Sequence, residues 1–433
     1  MVRLRNLSHR KGTIMDRLKP TFGPVSGTLM MLNIVLGASL FILPGLAAQQ
    51  TGIASILFWV LAIGLATPLL IAFWVLTAHQ PGAGGVVVLI GEAFGKRFFL
   101  IASYLFLGAV MLGLPAVALT AGFALQSGFG WSADLAAMVI MILAIGANFI
   151  QTCRAGQLGS IACSTSLVLL IAMLIAGFWL TPSSGLLDTG QLLAVLSDKK
   201  WLGGLSVIPL IFFAFTGWEV AISLGGEFKA PHRNLPIAIA ASFAIAAALY
   251  LACALVIIYA GPATFNEAPF VYLLAPVLGK SASQFVALFI ALLIWANLFA
   301  ACWSVSRMIY SISQQGYLPA RLGRLSGHIP KYALLAFAFT GLFVLALHGW
   351  QVIEIDRMLT LANINFLVLY GLVCAAGVVK LPRLFQRILS GLSIVTVTGI
   401  LLMAQSGLFL AYPMVITILA LATFFVRAKS DAS

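Results

Sequence analysis

Of the eleven aspartates and glutamates in this chain, ten fall at the ends of long apolar segments or between them, and Glu219 alone lies well inside one. A charge at that depth in hydrocarbon costs roughly 2.5–3.5 kcal/mol on insertion scales, so it has to be paired, protonated or put to use. Two roles are open to Glu219. It is either a gating or proton-carrying carboxylate, or an acceptor of hydrogen bonds that holds an irregular stretch of helix open. The residues before it read Phe213-Ala214-Phe215-Thr216-Gly217-Trp218, with small residues near the middle of the segment. A second small-residue spot, Gly37-Ala38-Ser39, follows Val35 at the centre of the first segment, with Pro44 beyond. Unwinding at these two spots frees N–H groups near Gly37, Ala38 and Ser39, which suit a carboxylate, and carbonyls near Val35, Phe213 and Ala214, which suit an ammonium. The chemistry on offer is non-covalent capture of a small zwitterion. The alternative is that these glycines only let helices pack closely.

Covalent chemistry has no comparable foothold. His9, His79, His232, His328 and His348 are scattered over tail, loops and segment ends without metal-ligand spacing, and no Walker loop, Rossmann glycine cluster or nucleophile triad is present. Cys153, Cys163, Cys253, Cys302 and Cys374 are odd in number and lack framework spacing, so no disulfide is implied. The chain reads as a non-enzyme with no cofactor and no metal.

The elements that must position these residues are membrane helices. The chain has 433 residues, 62% hydrophobic and only 8% charged, against roughly 25% charged in a soluble domain. That composition excludes a soluble enzyme, a nucleic-acid binder and a disordered chain. Twelve segments reach the ~20 apolar residues that a bilayer-crossing helix needs: 25–48, 52–79, 98–127, 132–151, 157–181, 202–226, 236–260, 281–312, 331–350, 356–378, 384–405 and 407–426. Twenty of the 24 lysines and arginines lie in the tails and alternate loops on one side, while Lys199, Lys200, Lys280 and Arg357 lie on the other. By the positive-inside rule both termini are cytoplasmic, and residues 1–24 and 427–433 are tails of a multi-pass inner-membrane protein.

Two interrupted helices, one in each half, suggest repeats. If residues 25–181 (helices 1–5) and 202–378 (helices 6–10) are the halves, each has an odd number of spans and they sit in opposite orientation, followed by two further helices over 384–426. Such inverted repeats, with sites at broken helices, are an arrangement of secondary transporters.

Four motifs carry a family resemblance. Gly37-Ala38-Ser39-Leu40-Phe41-Ile42-Leu43-Pro44-Gly45 resembles the helix 1 signature of the amino acid, polyamine and organocation (APC) superfamily of transporters. The run His79-Gln80-Pro81-Gly82-Ala83-Gly84-Gly85 through Glu92-Ala93-Phe94-Gly95-Lys96 is similar to its Pro-x-x-Gly-Gly and Ala-Phe-Gly elements. The helix 6 run from Phe213 to Glu219 and its exit, Glu227 to Pro236, match the most specific stretch, and Ser306-Arg307-Met308-Ile309-Tyr310 with Gly316-Tyr317-Leu318-Pro319 matches the end of helix 8. Gly113-Leu114-Pro115 and the Gly-Trp-Glu form of helix 6 resemble the bacterial efflux branch, exporters of methionine and branched-chain amino acids.

The resemblance implies an all-α fold of twelve helices, a LeuT-like five-plus-five inverted repeat with helices 1 and 6 broken. It also implies a neutral, apolar amino acid as substrate, in a pocket walled by Phe213, Phe215, Trp218 and helix 3 near Leu112. Export by proton coupling or exchange rests on that likeness alone; an importer or exchanger with another substrate is the alternative within the superfamily. Ser304 and Ser306 are candidate sodium ligands, or serines bonded back to their own turn. Asn297 lines the cavity or makes an interhelical bond, and Glu227, Lys229, Arg233 and Arg307 are either an inner gate latch or solvated charges. Two departures stand out: Ser39 replaces the second glycine of the helix 1 signature, and no lysine occurs between Arg154 and Lys199 where many members carry one in helix 5. A major-facilitator transporter would need an acidic and arginine-rich motif after helix 2, and a channel a polar lining; neither is present.

Overall fold

A computed structural model describes residues 23–37, 39–79, 86–149, 155–180, 199–219, 228–326, 329–404 and 407–430. Among them every regular element is helical. The α-helices are α1 (Pro24–Leu36), α2 (Ser39–Thr51), α3 (Ser55–His79), α4 (Val86–Phe94), α5 (Lys96–Phe129), α6 (Ala133–Ala147) and α7 (Ala155–Leu180) in the first part of the chain. They continue as α8 (Ile208–Ile211), α9 (Pro231–Ala260), α10 (Pro269–Gln314), α11 (Lys331–Gly349), α12 (Ile355–Lys380), α13 (Leu384–Met403) and α14 (Gly407–Ser430). Short 3-10 helices at Lys199–Val207 and Phe212–Phe215 flank α8.

Local chemistry sets the boundaries. Pro24, Pro231 and Pro269 open α1, α9 and α10 at positions where a missing N–H does no harm. Gly130, at φ +76°, takes the left-handed conformation that closes α5, and the Ser132 side chain accepts from the Leu135 N–H to start α6. Asp134 sits in the first turn of α6 and lies 2.6 Å from His348 Nδ1 at the end of α11, joining these two helix ends.

Among the described residues, seven helical stretches are long and apolar enough to cross a membrane, and four shorter ones, Ala133–Ala147, Leu167–Trp179, Leu202–Phe215 and Leu410–Val426, are apolar as well. Large apolar residues stand on the outside, among them Leu143, Phe178, Phe339, Val395 and Ile418, as a lipid-facing surface requires. α5 packs against α10 and α12, and α9 against α1, α2 and α3, so one continuous apolar core runs through the bundle.

Two stretches expected to be interrupted are interrupted, and a third departs from expectation. The first span is split between α1 and α2. The sixth, expected to be interrupted at its small residues, is a 3-10 and α composite over Lys199–Phe215 that leaves helical geometry at Thr216; residues 220–226 lie outside the described residues. The stretch before 281 holds helix from Pro269, broken only at Gly279, where φ is +74°. The residues after the second span include α4, an apolar helix that length alone hides: nine residues cannot cross a bilayer.

Candidate functional site

Both interruptions are real features of the backbone. α1 stops at Leu36, Gly37 turns away with ψ −143°, and α2 starts at Ser39; Ala38 lies outside the described residues. A β-carbon at Gly37 would stand 3.1 Å from Asn297 Nδ2, so the bare glycine lets the Asn297 amide of α10 come up against the gap. Val35 is buried two residues before it.

In the sixth span, Thr216 is extended (φ −99°, ψ 166°) and Gly217 has φ +105°, a region that side chains other than glycine rarely adopt. The Thr216 N–H and hydroxyl both donate to the Phe213 carbonyl, at 3.2 and 2.8 Å, and end the helical winding there. That carbonyl, expected to face an ammonium, is therefore engaged within its own strand of backbone. Helical geometry resumes at Trp218 and Glu219.

Glu219 is 4% exposed and looks back across the gap. Its Oε2 accepts from the Gly217 N–H at 3.1 Å and from the Tyr370 hydroxyl of α12 at 2.5 Å. The carboxylate thus ties the Gly217 amide, in the gap, to the Tyr370 hydroxyl of α12.

An unbroken helix lies alongside each broken one. On α12, Asn363 and Tyr370 stand seven residues apart, which is two turns on one face. Asn363 Nδ2 donates to the Pro209 carbonyl at 2.5 Å, before the gap, and Tyr370 holds Glu219 after it. On α9, Ser242 Oγ lies 3.8 Å from Met31 Sδ of α1, and the Tyr250 and Ser39 hydroxyls share a hydrogen bond of 2.6 Å at the start of α2.

The aromatic residues expected to wall a pocket have two different surroundings. Phe213 is 8% exposed and faces α5 and α12: a β-carbon at Gly113 would meet its ring at 3.6 Å and Ala362 at 3.5 Å. Phe215 and Trp218, both fully buried, turn toward α9, with ring centroids 6.0 and 6.4 Å from Phe243. Phe215 also lies 5.9 Å from Tyr250, and Ala214 is buried between these sides.

Ser306 donates to the Trp303 carbonyl at 3.0 Å, the local bond that competes with ion ligation. Arg307 folds back on the same helix, with Nη1 3.1 Å from the Trp303 carbonyl and the guanidinium over the Trp303 ring. Ser304 falls within α10 with its side chain outside the description, and Glu227 lies outside the described residues. Among the described residues no three His, Cys, Asp or Glu side chains come together as a metal site. Tyr370, Tyr250 and Asn363 were not anticipated as site residues. The signal for two of them was present: Asn363 and Tyr370 are polar residues at helical spacing within an apolar span.

Long apolar helices with an apolar exterior, backbone gaps at 37 and 216–217 and a buried carboxylate at one gap mark an integral membrane protein. The chain belongs to the amino acid permease family of the APC superfamily, which it matches over residues 22–429. It is 30% identical to the L-methionine/branched-chain amino acid exporter YjeH of Escherichia coli over 84% of this chain and 87% of that protein. It is 28% identical to the uncharacterized amino acid permease YecA of Bacillus subtilis over 83% and 85% of the two chains. The branched-chain amino acid permease BcaP of Lactococcus lactis is 26% identical over 72% of each chain.

Proposed function

We propose that this protein is a secondary active transporter that exports neutral, apolar L-amino acids of the methionine, leucine and isoleucine kind across the inner membrane, by alternating access and driven by protons or by exchange. The observation that carries the reading is the pair of backbone gaps at 37–39 and 216–217, whose flanking helices touch one another. Free amides at the start of α2 serve the substrate carboxylate, and carbonyls at the end of α1 serve its ammonium. Phe213, facing Gly113, presents apolar surface to the side chain, and among the described residues Glu219 is the one charged side chain that is buried. The relative from Escherichia coli, an exporter by name, supports the substrate class and direction.

The arrangement in the membrane is twelve spans in a five-plus-five inverted repeat, residues 25–181 and 202–378, with helices over 384–426 appended and both termini cytoplasmic. Glu219 is the candidate for a coupling proton; Ser304, Ser306 and carbonyls of α1 are the candidates for a sodium ion. The experiment is thermal unfolding of the detergent-solubilised protein against each of the twenty L-amino acids, followed by efflux from proteoliposomes. Stabilisation and saturable efflux with methionine or branched-chain amino acids are expected, and no shift with any amino acid overturns the reading. A second reading, import, has support in the relative named a branched-chain amino acid permease; leucine uptake against its own concentration gradient, driven by an inward proton or sodium gradient, would favour it.

A further inference from the structure

Tyr250 touches both halves of the site without facing substrate in the arrangement proposed above. It is fully buried on α9. Its hydroxyl bonds Ser39 Oγ, the first residue of α2, at 2.6 Å, and its ring lies 5.9 Å from Phe215, the last helical residue before the gap in the sixth span. On the other side the ring stacks on Trp59 of α3, centroids 5.1 Å apart and planes inclined by 14°. The first turn of a helix has N–H groups without intrahelical partners, and their direction is set by how the first residues are held. At Ser39 part of that hold comes from outside the helix, through the bond of its hydroxyl to Tyr250.

We infer that Tyr250 is a positioning residue for the substrate carboxylate: through Ser39 it aims the amides that open α2, and through Phe215 it keeps them in register with the gap in the sixth span. The serine that replaces glycine in the helix 1 signature is, on this view, half of a Ser–Tyr tether and not a ligand. The two members must then act as a unit. Removing either hydroxyl should have nearly the whole effect, and removing both should add little, as for residues in direct contact.

This inference rests on the proposed transport of amino acids, and two measurements separate its failure from that one. The first is hydrogen exchange of the peptide covering residues 35–45 in Tyr250→Phe, Ser39→Ala and the double variant, all of which keep the packing of the Tyr250 ring. Faster exchange at the start of α2, equal in all three variants, is expected. Unchanged exchange overturns the tether. The second is KM and Vmax for leucine in proteoliposomes. Loss of one buried hydrogen bond should raise KM about tenfold, with Vmax nearly unchanged and the double variant no worse than either single one. A fall in Vmax at constant KM, or additive single effects, overturns the positioning role. A wild-type protein that carries no amino acid removes the transport reading and the positioning role with it, while the exchange data still decide the bond itself.

Discussion

The Tyr370 hydroxyl donates to Glu219 Oε2 across 2.5 Å, joining two helices at residues 151 apart in the chain, and the same oxygen takes the Gly217 amide at 3.1 Å. One carboxylate therefore holds the resumed sixth span to α12 and the gap to itself. These bonds give Glu219 a stabilising part.

Replacing Glu219 separates that part from proton carriage. Glu219→Ala leaves a buried N–H and a buried hydroxyl without their acceptor, at about 1–3 kcal/mol for each group, so a lower unfolding temperature in detergent is expected. Glu219→Gln keeps an acceptor oxygen but cannot ionise. If Glu219 carries the coupling proton, this variant exchanges labelled leucine at a rate near wild type yet ignores an imposed pH gradient. Wild-type acceleration by the gradient in Glu219→Gln would exclude Glu219 as the proton carrier.

Gly217→Ala tests the gap directly. With φ at +105°, any β-carbon there is strained by about 1–3 kcal/mol. The variant should unfold at lower temperature or lose substrate-induced stabilisation. A variant as stable and as responsive as wild type would show that the backbone readily takes another course at 216–217.

Gly113 sets the space around Phe213. Gly113→Ala places a methyl in ordinary contact, 3.5–3.6 Å from Ala362 and the Phe213 ring, and is expected to transport normally. The branches of Gly113→Val reach further and push the ring. Competition assays should then show leucine and methionine weakened more than alanine, and an equal change for all three would argue against Phe213 as the wall for the side chain.

Two glycines outside the site make a stability pair. A β-carbon at Gly122 of α5 would fall 2.2 Å from the Ala133 carbonyl oxygen, whereas nothing lies within 4 Å of one at Gly64 of α3. Gly122→Ala must separate α5 from α6 and should cost about 1–3 kcal/mol. Gly64→Ala should match or exceed wild-type stability, because alanine has the higher helix propensity. Equal unfolding temperatures for the two variants would contradict the close approach at Gly122.

Most of the helices were legible from the chain alone, because length and apolarity are local properties and a bilayer demands about twenty such residues in a row. The two gaps were legible for the same reason: Gly37 and Gly217 mark places where backbone without a β-carbon is wanted. The nine-residue α4 and the helix from Pro269 escaped, being too short or too interrupted to meet a rule built on span length. What only the tertiary structure decided is who holds each gap. The choice of Tyr370 for Glu219, Tyr250 for Ser39 and Asn363 for the Pro209 carbonyl depends on how helices far apart in the chain rotate and pack. Apolar periodicity cannot encode it, since a span surrounded by lipid and other spans is apolar on nearly every face and does not announce which face meets which neighbour.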